Sequence, residues 1–207
     1  MAETCLLLVE GKNDNIVLST LFEYHQIPQF KVKDKGGIDA LLKDLPLELS
    51  DTELERLGIV IDADVDLDAR WTALRGILVR SGGVNVPAAP NPDGTIFTVE
   101  RPDRTLVVGV WMMPDNTLPG MLENFIGFLV PPGDALWPRA GECVAQIPDS
   151  ERRFPRGRQS KAHVHTWLAW QEEPGAPLGQ AITKRYLDAE AEHARRLIGW
   201  VRRLFDL

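Results

Sequence analysis

Acidic residues follow two apolar runs of the sequence, and carboxylates in such positions are suited to binding hard cations. Glu10 comes directly after the apolar run at residues 5–9, and Asp62 and Asp64 follow the run at residues 57–61. Mg2+ and Mn2+ take oxygen ligands, commonly one or two carboxylates with water and substrate phosphate in the other positions. If the extended geometry of the second run persists, Asp62 and Asp64 point to the same side and can share one cation. The pattern predicts a Mg2+ or Mn2+ site with these three residues as ligands.

The next two acids, Asp66 and Asp68, have a simpler explanation, because such residues solvate a loop or cap the following helix. Asp68 is the expected cap before Ala69. The run also begins like a calcium-binding EF-hand loop, but Leu67 stands where that loop needs Gly and Ala73 where it needs Glu. Neither the glycine pattern of a P-loop nor that of a dinucleotide-binding turn occurs in the sequence. An ATP-binding P-loop and a dinucleotide site are therefore not supported.

The densest basic stretch lies at residues 152–161, where it is predicted to form a loop ahead of a helix. Its side chains either grip a nucleic-acid backbone, with salt-dependent affinity, or are merely solvated, and the sequence leaves both readings open. Arg156 and Arg158 in this stretch, together with Lys12 in the loop after the first apolar run, are the candidate nucleic-acid contacts.

The charge balance limits the classes of partner. With 23 Lys and Arg against 30 Asp and Glu, the net charge of −7 argues against a chain that coats nucleic acid indiscriminately. The excess of acids lies in residues 1–130, whereas residues 131–207 hold 10 acids and 12 bases. The sequence contains no apolar stretch long enough to cross a membrane and does not open with a secretory signal segment. A cytoplasmic protein without a membrane partner is predicted.

Strand-like and helix-like patterns alternate along the first part of the chain. Buried strands are predicted at residues 5–9, 57–61 and 106–112 and a half-buried one at 30–33, with helices at 14–25, around 38–45, at 69–79 and at 118–129. The last of these helices has Asn116 or Thr117 as its expected cap. Residues 81–104 are rich in Gly, Pro and Asn and are predicted to be an insertion, with a small hairpin around residues 92–94.

This alternation predicts an α/β fold in which helices cover both faces of a parallel sheet. The core would occupy residues 1–130, and residues 131–207 would form a helical C-terminal extension packed on it, with helices near 160–171 and 180–205. Ligands of such sheets bind beyond the carboxyl ends of the strands. Glu10 and Asp62 fall at those ends, so the fold would place them on one rim.

Two groups of motifs resemble known families. Residues 9–14 (VEGKND) and 61–64 (IDAD) resemble the Toprim domain of topoisomerases, primases and overcoming-lysogenization-defect (OLD) nucleases, over roughly residues 5–66. Residues 111–116 (WMMPDN), 119–123 (PGMLE) and 161–166 (KAHVHT) resemble a family of small stand-alone bacterial proteins, DUF3226, and this likeness covers most of the chain. The first resemblance implies a Toprim-like, Rossmann-like sheet flanked by helices.

The Toprim resemblance also implies roles for individual residues. It makes Glu10 a metal ligand or a general acid/base, and it makes Asp62 and Asp64 metal ligands. In OLD-type nucleases a further acid after the fourth strand completes a two-metal site and a downstream lysine assists, and Glu123 and Lys161 are the matching positions. The alternatives are that Glu123 is an exposed helix residue and that Lys161 is one more solvated base.

The function that follows is Mg2+- or Mn2+-dependent hydrolysis of nucleic-acid phosphodiesters, with DNA favoured over RNA. A topoisomerase would need a nucleophilic tyrosine, and Tyr24 and Tyr186 both fall in predicted helices without the domain that supplies one. The alternatives are a Toprim-fold module that binds metal and nucleic acid or nucleotide without cleaving, and a nucleotidyl transferase or small-nucleotide hydrolase. The family resemblance implies an ATPase as a candidate partner protein, and a homo-oligomer is compatible with the sequence.

Overall fold

A six-stranded β-sheet forms the centre of the computed structural model, which describes residues 4–102 and 104–207. Its strands are β1 (Cys5–Val9), β2 (Lys31–Asp34), β3 (Arg56–Asp62), β4 (Gly83–Val84), β5 (Thr95–Glu100) and β6 (Thr105–Met113). They lie in the order β2-β1-β3-β6-β5-β4. Strands β2, β1, β3 and β6 are parallel to one another, whereas β5 is antiparallel to β6 and β4 is antiparallel to β5. The four strands predicted from the sequence are thus parallel to one another, and the two strands that the predicted insertion adds make the sheet mixed.

Helices flank both faces of this sheet. They are α1 (Lys12–Tyr24), α2 (Ile38–Ser50), α3 (Leu67–Arg80), α4 (Leu122–Phe128), α5 (Leu136–Ala145), α6 (Gln159–Leu168), α7 (Leu178–Thr183) and α8 (Glu192–Phe205), with a short 3-10 helix at Arg156–Arg158. Helices α2 and α3 cover one face, and α1 with the helices after β6 covers the other. Within the described ranges, none of these helices combines the length and the apolar character that a membrane span requires.

The central strands are apolar between their ends because both of their faces are buried there. In β1, Leu7 and Val9 belong to the core beneath α1 and α8, whereas Leu6 and Leu8 belong to the core beneath α2 and α3. The strands predicted at residues 5–9, 57–61 and 106–112 are confirmed to within one residue at either end. The carboxyl ends of β1, β3 and β6 meet at one edge of the sheet, which is where the candidate ligands lie.

The segment predicted to be an insertion contributes two strands to the sheet. β5 alternates buried and exposed residues along six positions and pairs with β6 over its whole length. The expected turn is present, since the Gly94 amide donates to the Asn91 carbonyl at 2.8 Å and Gly94 has a φ of +87°. The Gly-, Pro- and Asn-rich sequence around this turn obscured a short strand whose alternation includes three threonine or glutamate side chains.

The first residues of α3 and α4 differ from the prediction because other side chains than expected accept hydrogen bonds from the backbone amides there. Asp115 accepts hydrogen bonds from the amides of Thr117 and Leu118, which holds residues 115–118 in a turn, and α4 begins only at Leu122, so neither Asn116 nor Thr117 caps it. At α3, Asp66 rather than Asp68 is the cap, accepting from the Ala69 amide at 2.9 Å.

The C-terminal region contains more helices than the periodicity indicated. α5 was not predicted, because Pro138 and Gly141 lower its helix propensity, yet Pro138 lies in the first turn, where backbone amides lack helical partners anyway. The single helix predicted at 180–205 is two helices, α7 and α8, separated by a turn in which the Arg185 φ is +59°.

Two glycines on neighbouring strands form a notch that receives α8. Gly58 of β3 is the register partner of Gly109 of β6, and Leu204 of α8 lies over both. A Cβ added at Gly109 would lie 2.6 Å from Leu204 Cδ2, and one added at Gly58 would lie 3.2 Å from the same atom. Leu204 and Trp200 are fully buried here, so the absence of two side chains from the sheet allows α8 to pack closely.

Gly109→Ala should lower the free energy of unfolding by about 1–3 kcal/mol, because the new methyl group overlaps Leu204. Urea denaturation measures this loss. Leu204→Ala alone should cost about 2–5 kcal/mol through the cavity that it leaves. The double variant should lose less than the sum of the two, since the smaller side chain makes room for the methyl group. Strictly additive losses would contradict a direct contact between the two positions.

Candidate functional site

Glu10 and Asp62, the acids that end β1 and β3, are joined by a hydrogen bond. The Asp62 amide donates to Glu10 Oε1 at 2.7 Å. Because β1 and β3 are parallel neighbours, the residues after them lie side by side at the carboxyl edge of the sheet. The structure thus brings these two predicted site residues together.

Asp14 is a member of the site that the sequence analysis did not single out. It is the third residue of α1, where its Oδ2 accepts a hydrogen bond from the Gly11 amide at 3.2 Å. That position is typical of a helix-capping acid, which is why its chemistry was overlooked. Yet the residue is only 7% exposed, and its Oδ1 is buried with no hydrogen-bond partner in the described part of the chain. A buried acid four residues after Glu10 was the pattern that could have identified it.

Glu123 and Lys161 reach the same place from α4 and α6. The Glu123 side chain is 5% exposed, and its Oε1 lies 3.3 Å from Lys161 Nζ, whose side chain is 47% exposed. The alternative of an exposed helix residue is therefore wrong for Glu123. Helix α4 is tied to the sheet edge as well, since the Leu122 amide donates to Asp62 Oδ1 at 2.9 Å.

Asp14, Asp62, Glu123 and Lys161 line a cleft of about 440 Å³, which we call the acidic cleft, whereas Glu10 is not one of its lining residues. Its walls come from the start of α1, the end of β3, the start of α4 and the start of α6, and they include Lys12, Asp14, Asp62, Glu123, Arg158 and Lys161. Two of the predicted nucleic-acid contacts, Lys12 and Arg158, thus lie beside the acids.

Burial and mutual repulsion shape the titration of the acids. Burial, together with the negative charges of Glu10, Asp14 and Glu123, raises the pKa of Asp62 to about 9. Burial likewise raises the pKa of Glu10 to about 7, with Asp14 and Asp64 adding to the effect. It raises the pKa of Asp14 to about 6, with the charge of Glu123 adding and that of Lys161 opposing. The cluster therefore holds protons at a pH where isolated carboxyl groups have lost them.

Asp64 does not lie alongside Asp62 as predicted. The extended geometry stops at Asp62, because the Asp64 backbone has a φ of +55° and its amide donates to the Gly120 carbonyl at 2.7 Å. The Asp64 carboxylate forms an ion pair with Arg70 and lines a separate cleft of about 620 Å³. The assumption that the two aspartates point the same way is therefore wrong, although the charge of Asp64 still acts on Glu10.

The remaining predicted contact, Arg156, lies in that second cleft with Asp64. Its guanidinium Nη2 is 2.6 Å from Asp149 Oδ2, and 77% of its side chain is exposed. Arg156 and Arg158 thus face two adjoining clefts rather than one.

The chemistry of the acidic cleft fits a hard divalent cation. Its donors are carboxylate oxygens, one of which, Asp14 Oδ1, is buried without a partner. Among the residues that the structure describes, no three His, Cys, Asp or Glu side chains are spaced as a ready metal cage. Mg2+ does not need such a cage, since it is commonly held by one or two carboxylates with water and substrate phosphate.

In the presence of a chelator, stability should fall as the pH rises. The acids of the folded cluster keep protons that the same acids of the unfolded chain release near pH 4. Their contribution to the free energy of unfolding is therefore fully present below about pH 4 and is lost as the pH rises from about 4 to about 9. Asp14→Asn removes one of these groups and should stabilise the chain by about 1–3 kcal/mol at about pH 8, with little effect at about pH 4. Urea denaturation across this pH range measures the difference.

The matched control for this variant is Asp39→Asn, which changes an exposed acid in the first turn of α2. It should leave the pH dependence as it is in the wild type. An Asp14→Asn profile that parallels the wild type over the whole range would contradict the electrostatic strain assigned to the cluster.

Comparison with known proteins identifies a family without a described activity. A family profile described as "Protein of unknown function (DUF3226)" matches residues 4–206. No curated protein and no solved structure matches the chain significantly. Because the profile spans nearly the whole sequence, the chain belongs to the DUF3226 family.

Proposed function

We propose that this protein is a Mg2+- or Mn2+-dependent nuclease that hydrolyses nucleic-acid phosphodiesters at the acidic cleft. The observation that carries the proposal is the cluster of Glu10, Asp14, Asp62 and Glu123 beside Lys161 at the carboxyl edge of the sheet. Carboxylates that cannot all ionise without a counter-charge are suited to bind a cation, and the neighbouring bases are suited to bind phosphate.

The ligands of the cation would come from this cluster. Asp62 and Asp14 line the cleft directly, and Glu123 borders it from α4. Asp64 would join only by leaving Arg70, so we assign it a supporting part through its charge. When bound, a divalent cation supplies charge neutralisation at the phosphate and favours attack by water.

The protein's own groups would do the remaining work. Lys161 Nζ is positioned by Glu123 to stabilise negative charge on the transferring phosphoryl group. Lys12 and Arg158 would hold neighbouring phosphates on the rim of the cleft. Glu10, whose pKa is raised to about 7, has the acidity that proton transfer near neutral pH requires.

The sheet supports a Toprim-like reading of the core, and this stays part of the proposal. Glu10 follows β1 and Asp62 ends the adjacent parallel strand β3, as the motif resemblance requires, although Asp64 turns away from Asp62. By the same resemblance an ATPase would be a partner protein, and DNA is the preferred substrate.

A second candidate is a module that binds cation and nucleic acid without cleaving. The ion pairs Glu123–Lys161 and Asp64–Arg70 favour it, since two of the acids are already neutralised by the protein's own cations. Such a module would be stabilised against heat by Mn2+ through ligand linkage, yet would leave nucleic acids intact.

Cleavage assays separate these candidates. In the presence of Mn2+ or Mg2+, the wild-type protein should cut at least one of four substrates: supercoiled DNA, linear DNA, single-stranded DNA or RNA. The Asp62→Asn variant should cut the same substrate at least about 100-fold more slowly. Asparagine keeps the size of Asp62 and an oxygen that can accept from the Leu122 amide, so the fold should be retained.

The matched control is Asp68→Asn, an exposed acid of the same run that lies outside the acidic cleft. This variant should remain as active as the wild type. Equal rates for the wild type and Asp62→Asn would overturn the nuclease proposal, and a Mn2+-dependent rise in melting temperature without any cleavage would favour the second candidate.

Lys161→Met should lower kcat by about 100- to 1000-fold, because it removes a charge aimed at the developing negative charge. Lys161→Arg should retain part of the rate. The control is Lys184→Met, which breaks an ion pair with Glu173, and neither of these residues lines the acidic cleft. Rates should be measured well below each variant's melting temperature, since Lys161→Met leaves the buried Glu123 unpaired. A fully active Lys161→Met would exclude the catalytic role.

A further inference from the structure

An apolar cleft of about 420 Å³ adjoins the acidic cleft, and the two share Glu123 as a lining residue. We call it the apolar cleft, and the residues that matter here are Leu118, Pro119, Phe128, Trp137, Ser160 and His163. The lining of the apolar cleft is mostly apolar and aromatic, whereas that of the acidic cleft is mostly charged. A substrate that reaches from one cleft into the other must therefore carry both a charged part and a flat or apolar part.

The walls of the apolar cleft are aromatic rings held in fixed positions. Trp137 stacks on His163 with ring centroids 3.7 Å apart and an interplanar angle of 22°. The His163 Nε2 lies 2.8 Å from the Trp137 carbonyl oxygen, which fixes the pair further. Gly127 packs directly against the indole, since a Cβ there would lie 2.9 Å from Trp137 Cζ2. Indole, imidazole and phenyl rings are the surfaces on which unpaired nucleobases stack.

Polar groups suited to a base edge also line the apolar cleft. Asn124 Oδ1 accepts from the Met121 amide at 3.0 Å, which anchors the carboxamide, while no described residue accepts from its amide nitrogen. The Ser160 hydroxyl adds a group that can donate and accept. Asn124 and Ser160 also line the cleft of about 620 Å³ that contains Asp64, where Arg156 offers a further phosphate contact.

We propose that the apolar cleft binds one unpaired nucleobase of the substrate while the adjoining phosphodiester lies in the acidic cleft beside Asp62 and Lys161. This inference rests on the proposed function and narrows its substrate class to single-stranded or locally unpaired nucleic acid. A base inside a duplex cannot enter such a cleft without leaving its stack, so paired substrates would bind and react less well.

Binding rather than cleavage tests this inference. Fluorescence anisotropy with a chelator present would compare a labelled single strand of roughly 12 nucleotides with a wholly abasic strand carrying the same phosphates, and with the duplex. The intact single strand should bind about 5- to 150-fold more tightly than the abasic strand, which is the range expected for loss of base stacking.

Variants locate this base dependence. Trp137→Ala should abolish most of the difference in affinity between intact and abasic strands. Leu118→Ser, at a position that is 48% exposed, should reduce that difference by about 3- to 10-fold. Trp170→Ala is the control, since Trp170 is 39% exposed and does not line the apolar cleft. It should keep the full difference.

Each outcome bears on one claim. Equal affinity for intact and abasic strands, equal affinity for duplex and single strand, or no binding at all would overturn the inference. Base-dependent binding by a protein that never cleaves would instead support the apolar cleft and refute the hydrolase.

Discussion

The candidate site depends on Asp62, because hydrogen bonds of this residue connect β1, β3 and α4 at the carboxyl edge of the sheet. Its amide donates to Glu10 after β1, and its carboxylate accepts from the amide of Leu122 at the start of α4. The bonds fix the acids relative to one another before any ligand arrives, which lowers the ordering cost of binding. They also place Asp62 among like charges, and burial raises its pKa to about 9. The buried position that brings Asp62 beside Glu10 therefore also makes ionisation of the Asp62 carboxyl group unfavourable.

The well-packed sheet offsets the unfavourable free energy of holding several acids close together. Glu10 and Asp62 lie at the ends of strands whose middle residues are apolar and packed on both faces, and the buried acids Asp14 and Glu123 reach this edge from α1 and α4. Lys161 offsets only part of the negative charge, because it pairs with Glu123 and remains half exposed. Strained groups at one edge, held by a well-packed sheet, are the arrangement expected of a binding or catalytic site.

The sequence was a good guide where burial dictates composition and a poor one where long-range pairing decides. Continuous apolar runs predicted β1, β3 and β6, and the acids after β1 and β3 predicted the edge of the sheet at which the candidate site lies. Asp14 was missed because a capping acid and a site acid look alike in sequence. The turn at Asp64 depends on its pairing with Gly120, which lies 56 positions further along the chain, so no local pattern could predict it. Glu123 and Lys161 were found through family resemblance, since neither has a distinctive local pattern.

The glycine notch has a consequence for how the chain is divided. Leu204, which occupies the notch, belongs to the same core as Leu7 of β1 and Trp111 of β6. One face of the sheet is thus completed by residues from the far end of the sequence. A fragment cut after the last strand would expose that face to water, and its apolar surface would favour association with other chains over independent folding. Residues from the first and last parts of the sequence thus share one hydrophobic core, although they are far apart along the chain.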